Sequence, residues 1–191
     1  MTFPYPSFET QRLLLRPVTE ADIPNWHRHF NCFEIIGDMS ASVPWPFPAD
    51  GTEKFVRNEV LPNLGQNKWT WAITLKEAPH ELVGIVDLWR EGCPENRGFW
   101  LAPHLWGQGL MSEATAPITD YAFNELGFDK LVFNNALGNT RSRRIKEKAG
   151  ARLVRVIDKK FNNPAYTQAE IWELSKDAWR AHHPQTTENN R

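Results

Sequence analysis

Ser142 stands near the start of the basic segment Asn139-Thr140-Arg141-Ser142-Arg143-Arg144-Ile145-Lys146-Glu147-Lys148-Ala149. If that segment is helical, residues 142, 145 and 149 share one face. Two of the three are apolar, so the face turns inward and carries Ser142 with it. A hydroxyl there can cap its own helix, rest as a satisfied core serine, or donate a proton to a ligand. Asp87 interrupts the apolar run Leu82-Val83-Gly84-Ile85-Val86-Asp87-Leu88-Trp89. A carboxylate among apolar side chains holds its proton to higher pH and can act as a base; at a strand edge it would simply face water.

The third feature is the turn Trp106-Gly107-Gln108-Gly109-Leu110-Met111-Ser112-Glu113-Ala114. It follows the apolar run Gly98-Phe99-Trp100-Leu101-Ala102 and feeds a helix. Two glycines let backbone approach a ligand, and the first amides of a helix lack intrahelical partners and sit at its positive end. That combination suits a phosphate or pyrophosphate. It is neither a Walker-type loop, because the G-x-x-x-x-G-K-[ST] lysine is missing, nor G-x-G-x-x-G, because Ser112 holds the third glycine position. From Arg141 to Arg155 seven basic residues (Arg141, Arg143, Arg144, Lys146, Lys148, Arg152, Arg155) face one acid, Glu147. A solvated helix face explains such a run; so does a phosphate-rich ligand.

The elements that must position these residues are legible from periodicity and punctuation. Residues 12–16 read as a first strand ended by Pro17. Thr19 then caps a helix running to Phe30, with Pro24 near its first turn. Pro44, Pro46 and Pro48 forbid regular structure, leaving a stiff loop that presents Trp45 and Phe47 to a substrate pocket or packs on the surface. A helix is expected over 52–61, a strand over 69–75, and a second over 82–89 that is apolar on both faces and pairs with it as a hairpin. The strand 98–102, the turn, and a helix over 109–126 containing Pro117 come next. A strand over 130–137, a helix over 139–149 capped by Asn139, and strands over 151–157 and 166–174 close the order. Strands and helices mixed this way predict an α+β fold: a mostly antiparallel central sheet of about seven strands with helices on both faces. Residues 9–179 form one domain, and 180–191 a polar tail.

With 191 residues, a net charge of −1 and 41% hydrophobic residues, the chain has material for one sizeable core and no electrostatic drive toward nucleic acid. Cys32 and Cys93 form no motif, and His27 and His29 point different ways on their helix, so neither a disulfide framework nor a metal is expected. No signal peptide or span of about 18 apolar residues is visible, which places the protein in the cytoplasm.

The chain resembles the GCN5-related N-acetyltransferase superfamily, in the branch of RimJ/RimL-type ribosomal-protein alanine N-acetyltransferases. The matches are Glu9-Thr10-Gln11-Arg12-Leu13-Leu14-Leu15-Arg16, Trp106-Gly107-Gln108-Gly109 with Ser112-Glu113-Ala114, Asn139-x-x-Ser142, and Lys148-Ala149-Gly150-Ala151. Trp106 replaces the Gln/Arg of the superfamily loop pattern and Met111 its final Gly/Ala. The resemblance implies that acetyl-CoA is the co-substrate. Amides of Trp106, Gly107, Gln108, Gly109, Leu110, Met111 and Ser112 would hold its pyrophosphate, and the strand through Trp100 and Leu101 would pair with its pantetheine arm. Asn139 would bind that arm, Ser142 would lie near the sulfur, and the neighbouring Arg143 would add a cofactor contact. The implied activity is direct acetyl transfer to a primary amine, either a protein N-terminus or a small amine, with Ser142 as acid and Asp87, or Glu170 through a water, as base. A homodimer is compatible with this reading. The rival readings are a non-catalytic acyl-CoA-binding regulatory module and a nucleotide-binding protein.

Overall fold

The computed structural model describes residues 4–90 and 94–183, so Cys93 and much of the predicted tail lie outside it. A two-residue strand β1, Phe8–Glu9, leads into β2, Leu13–Pro17, where Leu13 and Leu15 alternate into the core. Thr19 and Asp22 make the predicted helix start, with the Thr19 N–H donating to the Asp22 carboxylate at 2.8 Å and Arg16 bracing it at 2.6 Å. α1 spans Ile23–Phe30 and is followed by a short α2, Phe33–Ile36, that periodicity did not reveal. The helix expected over 52–61 is irregular. It begins as α3, Gly51–Phe55, widens to a π turn at Val56–Val60 and tightens into a 3-10 turn at Leu61–Asn63.

Strands β3, Lys68–Leu75, β4, Gly84–Trp89, and β5, Arg97–Leu101, form the predicted antiparallel meander, with Trp71 opposite Val86 and Val86 opposite Phe99. α4 spans Leu110–Asn124 and runs through Pro117 without ending there. Then come β6, Lys130–Ala136, α5, Thr140–Lys148, β7, Arg152–Asp158, and β8, Gln168–Ser175. A last helix α6, Lys176–His182, is capped by the Ser175 hydroxyl and anchored by buried Trp179, so ordered structure reaches into the stretch expected to be tail.

The one central sheet expected from the sequence is divided. Strands β1-β2-β3-β4-β5 form one antiparallel sheet, and β6-β8-β7 form a second, with the chain-terminal strand in the middle. Period-two alternation sends the two faces of the larger sheet to different helices. Leu13, Leu15, Trp71, Val86 and Leu88 pack with Leu110, Ala114 and Ile118 of α4, while Ala72, Ile85 and Trp100 pack with Trp26, Phe30, Val56 and Val60.

The backbones of the two sheets are joined at Asn96. The Asn96 N–H donates to the Val132 carbonyl at 2.7 Å, and the Asn96 side-chain oxygen accepts from the Val132 N–H at 3.1 Å. Past this joint β5 and β6 part into separate sheets, and residues 98–101 and 133–135 line a cavity of about 1470 Å³ between them. Both flanking strands are sheet edges, so each turns unpaired backbone donors and acceptors toward that gap.

Candidate functional site

The glycine turn forms one end of the cavity. Gly107 and Gly109 both have φ of +77°, a conformation costly for any residue with a side chain. A Cβ at Gly107 would meet nothing within 4 Å, and one at Gly109 only Arg12 Nη2 at 3.8 Å, so the turn is open. Gly109 is the N-cap of α4, which leaves the amides of residues 110–112 without helical partners beside the cavity.

Two clamps hold the turn in place. The Trp106 indole N–H donates to the Leu101 carbonyl at 2.7 Å, tying the turn to the end of β5, and the Arg141 guanidinium stacks 4.0 Å above the same ring. On the other side Glu113 accepts from Thr10 Oγ1 at 2.6 Å, from the Arg12 N–H at 2.8 Å and from Arg12 Nε at 2.7 Å, while Arg12 Nη1 reaches the Gln108 carbonyl. Burial alone would raise the Glu113 pKa, but these hydrogen bonds outweigh it and hold the carboxyl below its usual range. The spacing of Thr10, Arg12 and Glu113 thus has a physical reason: they lock the start of β2 to the start of α4.

Ser142 lines the cavity on the first turn of α5. Asn139 caps that helix, its Oδ1 accepting from the Ser142 N–H at 3.1 Å while its Nδ2 donates to Asp38 at 2.8 Å. Lys146, one turn on, is only 1% exposed, and its Nζ donates to Ser142 Oγ at 2.6 Å. Ser142 Oγ is thereby fixed as an acceptor, and its own proton has no acceptor among the described residues. Burial, then repulsion from Arg97, pushes the Lys146 pKa well down, with Glu170 opposing.

Asp87 lies on the opposite face of the sheet, beside Ile85 and the α1 cluster, and also lines the cavity. Thr70, its cross-strand partner, donates its hydroxyl to Asp87 Oδ1, and Lys68 Nζ stands 4.0 Å from Oδ2. Burial raises the Asp87 pKa, with Lys68 and the Thr70 hydrogen bond pulling it partly back. Aromatic rings of Trp26, Phe30, Phe47 and Trp100 wall this side.

Most of the residues singled out in the sequence meet here. Trp100, Leu101, Trp106, Gly107, Gly109, Leu110, Met111, Ser112, Asn139, Ser142, Asp87 and Phe47 all line the cavity. Gln108, expected to contribute its backbone amide, is exposed, and its side chain donates to the His104 carbonyl. Four places differ from expectation. Trp45 is 43% exposed and packs on Phe33. Arg143 points away, pairing with Glu147 at 2.8 Å and Glu170 at 2.9 Å. Glu170 is 1% exposed, outside the cavity wall, with both oxygens taken by Arg143 and Asn135. Asn139 is already engaged through both polar atoms of its side chain, as cap and as Asp38 partner.

Two buried cations carry no clear signal in the sequence. Lys146 looks like part of the basic run, although i, i+4 spacing from Ser142 places it on the same face. Arg97 alternates in phase with Phe99 and Leu101 and is 4% exposed, with its guanidinium 4.0 Å over the Phe133 ring. Arg144 and Lys148 of the same run line the cavity.

A split sheet, a cavity at the split and an open glycine turn at a helix start are the marks of one class of protein. The chain belongs to the acetyltransferase (GNAT) domain family, whose profile matches residues 12–152; that class draws acetyl groups from acetyl-CoA. Among individual proteins, the chain is 27% identical over 85 residues to FsC-acetyl coenzyme A-N(2)-transacetylase of Aspergillus fumigatus, a match covering 43% of this chain and 36% of that one. The fold is similar to RimL, the ribosomal L7/L12 alpha-N-protein acetyltransferase in complex with coenzyme A (TM-score 0.75, 17% identity, 91% of this chain and 99% of that). It is also similar to the ribosomal-protein-S5-alanine acetyltransferase of Vibrio fischeri (TM-score 0.74, 16% identity, 92% and 99%). Among the described residues no helix is long and apolar enough to cross a membrane.

Proposed function

We propose that this protein transfers an acetyl group from acetyl-CoA to a primary amine within a ternary complex. The observation that carries the reading is the junction of an open glycine turn, unpartnered α4 amides and two unpaired strand edges in one cavity that also holds Ser142 and Asp87. When bound, acetyl-CoA supplies an activated thioester carbonyl and a thiolate leaving group.

The chain's own groups supply the rest. Backbone from Gly107 to Ser112 cradles the diphosphate, and Arg144 and Lys148 offer charge to further phosphate. The facing edges of β5 and β6 receive the amide-bearing arm. Asp87 takes a proton from the incoming ammonium on the aromatic side of the sheet, assisted by its raised pKa. The amine nitrogen forms its bond to the carbonyl carbon, strand amides of β5 stabilise the oxyanion, and the C–S bond breaks. Ser142 then donates its proton to the leaving sulfur, because Lys146 already occupies its oxygen as a donor, and regains one as the attacking nitrogen gives up its extra proton, so that thiol, neutral amide and hydroxyl result. Trp106 and Asn139 act as positioning residues, one for the turn and one for the helix carrying Ser142.

The acceptor is an α-amine or another amine of low basicity. An α-amine with pKa about 8 is partly neutral at pH 7, whereas a lysine near 10.4 needs stronger deprotonation. Protein α-amines are what RimL acetylates, and the apolar walls formed by Trp26, Phe30 and Phe47 suit a small apolar first residue. A thiol-release screen with acetyl-CoA over peptides beginning Ala, Ser or Met and a panel of small amines tests the reading. Release that depends on amine is expected. Tight acetyl-CoA binding with no release from any acceptor would put the non-catalytic binding module in its place.

A further inference from the structure

The inner end of the cavity, where β5 and β6 meet, holds a buried guanidinium, Arg97, with no ion-pair partner among the described residues. Arg97 and Lys146 are both almost fully buried there, each against the rings of Phe99 and Phe133. The nearby buried anion, Glu170, is already bonded by Arg143 and Asn135. Lys146 spends its hydrogen bonds on Ser142. Two atoms of Arg97, Nε and Nη2, have no hydrogen-bond partner among the described residues, yet both are buried. Burial pushes the Arg97 pKa down to about 10, which still leaves it charged at neutral pH. A buried, unpaired guanidinium is costly unless an anion meets it.

The identity of the two orphaned atoms narrows the anion. Nε and Nη2 lie on the same side of a guanidinium and point their N–H bonds in parallel, the fork that matches the two oxygens of one carboxylate. Arg97 and Lys146 both line the cavity. They belong to the α5 side, where Ser142 sits, whereas Asp87 and the aromatic walls belong to the other face. The donor's diphosphate is accounted for at the glycine turn, at the other end of the cavity. A carboxylate at Arg97 must therefore come from beyond the sulfur, on the acyl group itself.

We infer that the Arg97–Lys146 end of the cavity reads a terminal carboxylate on the donor's acyl group, so that the protein also transfers dicarboxylic acyl groups from their CoA thioesters. This rests on the proposed placement of the donor, with Ser142 at the sulfur. The chemistry balances as for acetyl transfer: the amine nitrogen bonds to the thioester carbon, the C–S bond breaks, the thiolate takes the Ser142 proton, and the proton the nitrogen sheds restores the Ser142 hydroxyl. The far carboxylate stays ionised on Arg97 and leaves on the amide product.

The test compares donors of equal length that differ only in charge, malonyl-CoA against propionyl-CoA and succinyl-CoA against butyryl-CoA, with acetyl-CoA alongside and one accepted amine held fixed. At least one carboxylated donor is expected to exceed its neutral twin in kcat/KM by about ten- to a hundredfold, the worth of a charge-assisted hydrogen bond. Arg97→Met should bring that ratio to one or below, and Arg97→Lys should keep part of it. Because the ratio is taken within one protein, partial loss of folded enzyme does not move it. If acetyl-CoA is used but both carboxylated donors fall at or below their twins in the unmodified protein, this inference is overturned and the transferase reading stands. A ratio that Arg97→Met leaves unchanged overturns it too. If no donor releases thiol with any amine, the transferase reading itself falls and takes this one with it.

Discussion

Lys146 Nζ donates to Ser142 Oγ at 2.6 Å from one helical turn below it, in the floor of the cavity between the two sheets. The bond does two things at once: it fixes the serine rotamer, and by occupying the oxygen it leaves the hydroxyl proton for a third party. Replacing Ser142 by Ala should therefore lower kcat by about 10²- to 10⁴-fold, the usual share of a positioned acid. KM for acetyl-CoA should change little, since the proposed donor contacts are made by the backbone of the turn and not by the hydroxyl. Steady-state kinetics at saturating donor checks this, and full turnover by the variant would remove Ser142 from the mechanism.

Asp87 makes a pH-dependent prediction. Its pKa is raised by burial, with Lys68 and Thr70 opposing, so the acid limb of kcat/KM should lie above the ordinary carboxylate value of 3.8. Asp87→Asn should abolish that limb and lower the plateau by about 10²-fold or more. The sign for stability follows from the same shift. Between the unfolded and the folded pKa the native state binds more protons, so the contribution of Asp87 to stability falls as pH rises through that window. Denaturation across that window should show the wild type losing stability relative to Asp87→Asn.

Lys146 has the opposite shift, downward, so the unfolded chain binds its proton more readily than the native one. The cost of burying the ammonium is present below the folded pKa and is relieved as pH rises from there toward 10.5. Lys146→Met keeps the length of the stem and removes the charge, as when buried ion pairs are replaced by apolar groups. Its Tm at a pH below the folded pKa should rise by about 2–4 °C, corresponding to about 1 kcal/mol, and the difference should narrow as pH is raised. The same variant should lose turnover, which separates its positioning role from its effect on folding.

Glu113 is held by Thr10 and Arg12, 103 and 101 positions away in the chain. Glu113→Ala should loosen the start of α4 and raise KM for acetyl-CoA by about tenfold, roughly one hydrogen bond to a charged group, with kcat less affected. Thr10→Ala should do the same more weakly. Because the Glu113 pKa is held low, its contribution to stability is present above the unfolded value and lost as pH falls through the folded one. Melting curves at falling pH should show the wild type converging on Glu113→Ala.

The sequence carried the parts of this site that depend on local backbone demands. Gly107 and Gly109 were readable because a positive φ and an open helix start leave a compositional trace. Ser142 was readable from helix periodicity, and Asp87 from its place in an apolar strand. Lys146 and Arg97 were not, because a lysine in a basic run and an arginine at a strand start look solvated until a second sheet covers them. The division of the sheet was hidden for a related reason: β8 inserts between β6 and β7, a pairing across chain distance that no local pattern encodes. Arg143 and Glu170 are site groups only by the family resemblance, and their mutual ion pair keeps them out of the cavity wall.

The most direct test is the structure of the protein with CoA bound. The diphosphate is expected against the backbone of residues 107–112, the arm between residues 98–101 and 133–135, and the sulfur within hydrogen-bond reach of Ser142 Oγ. A CoA molecule bound elsewhere, or one in this cavity with its sulfur out of reach of Ser142, would contradict that placement.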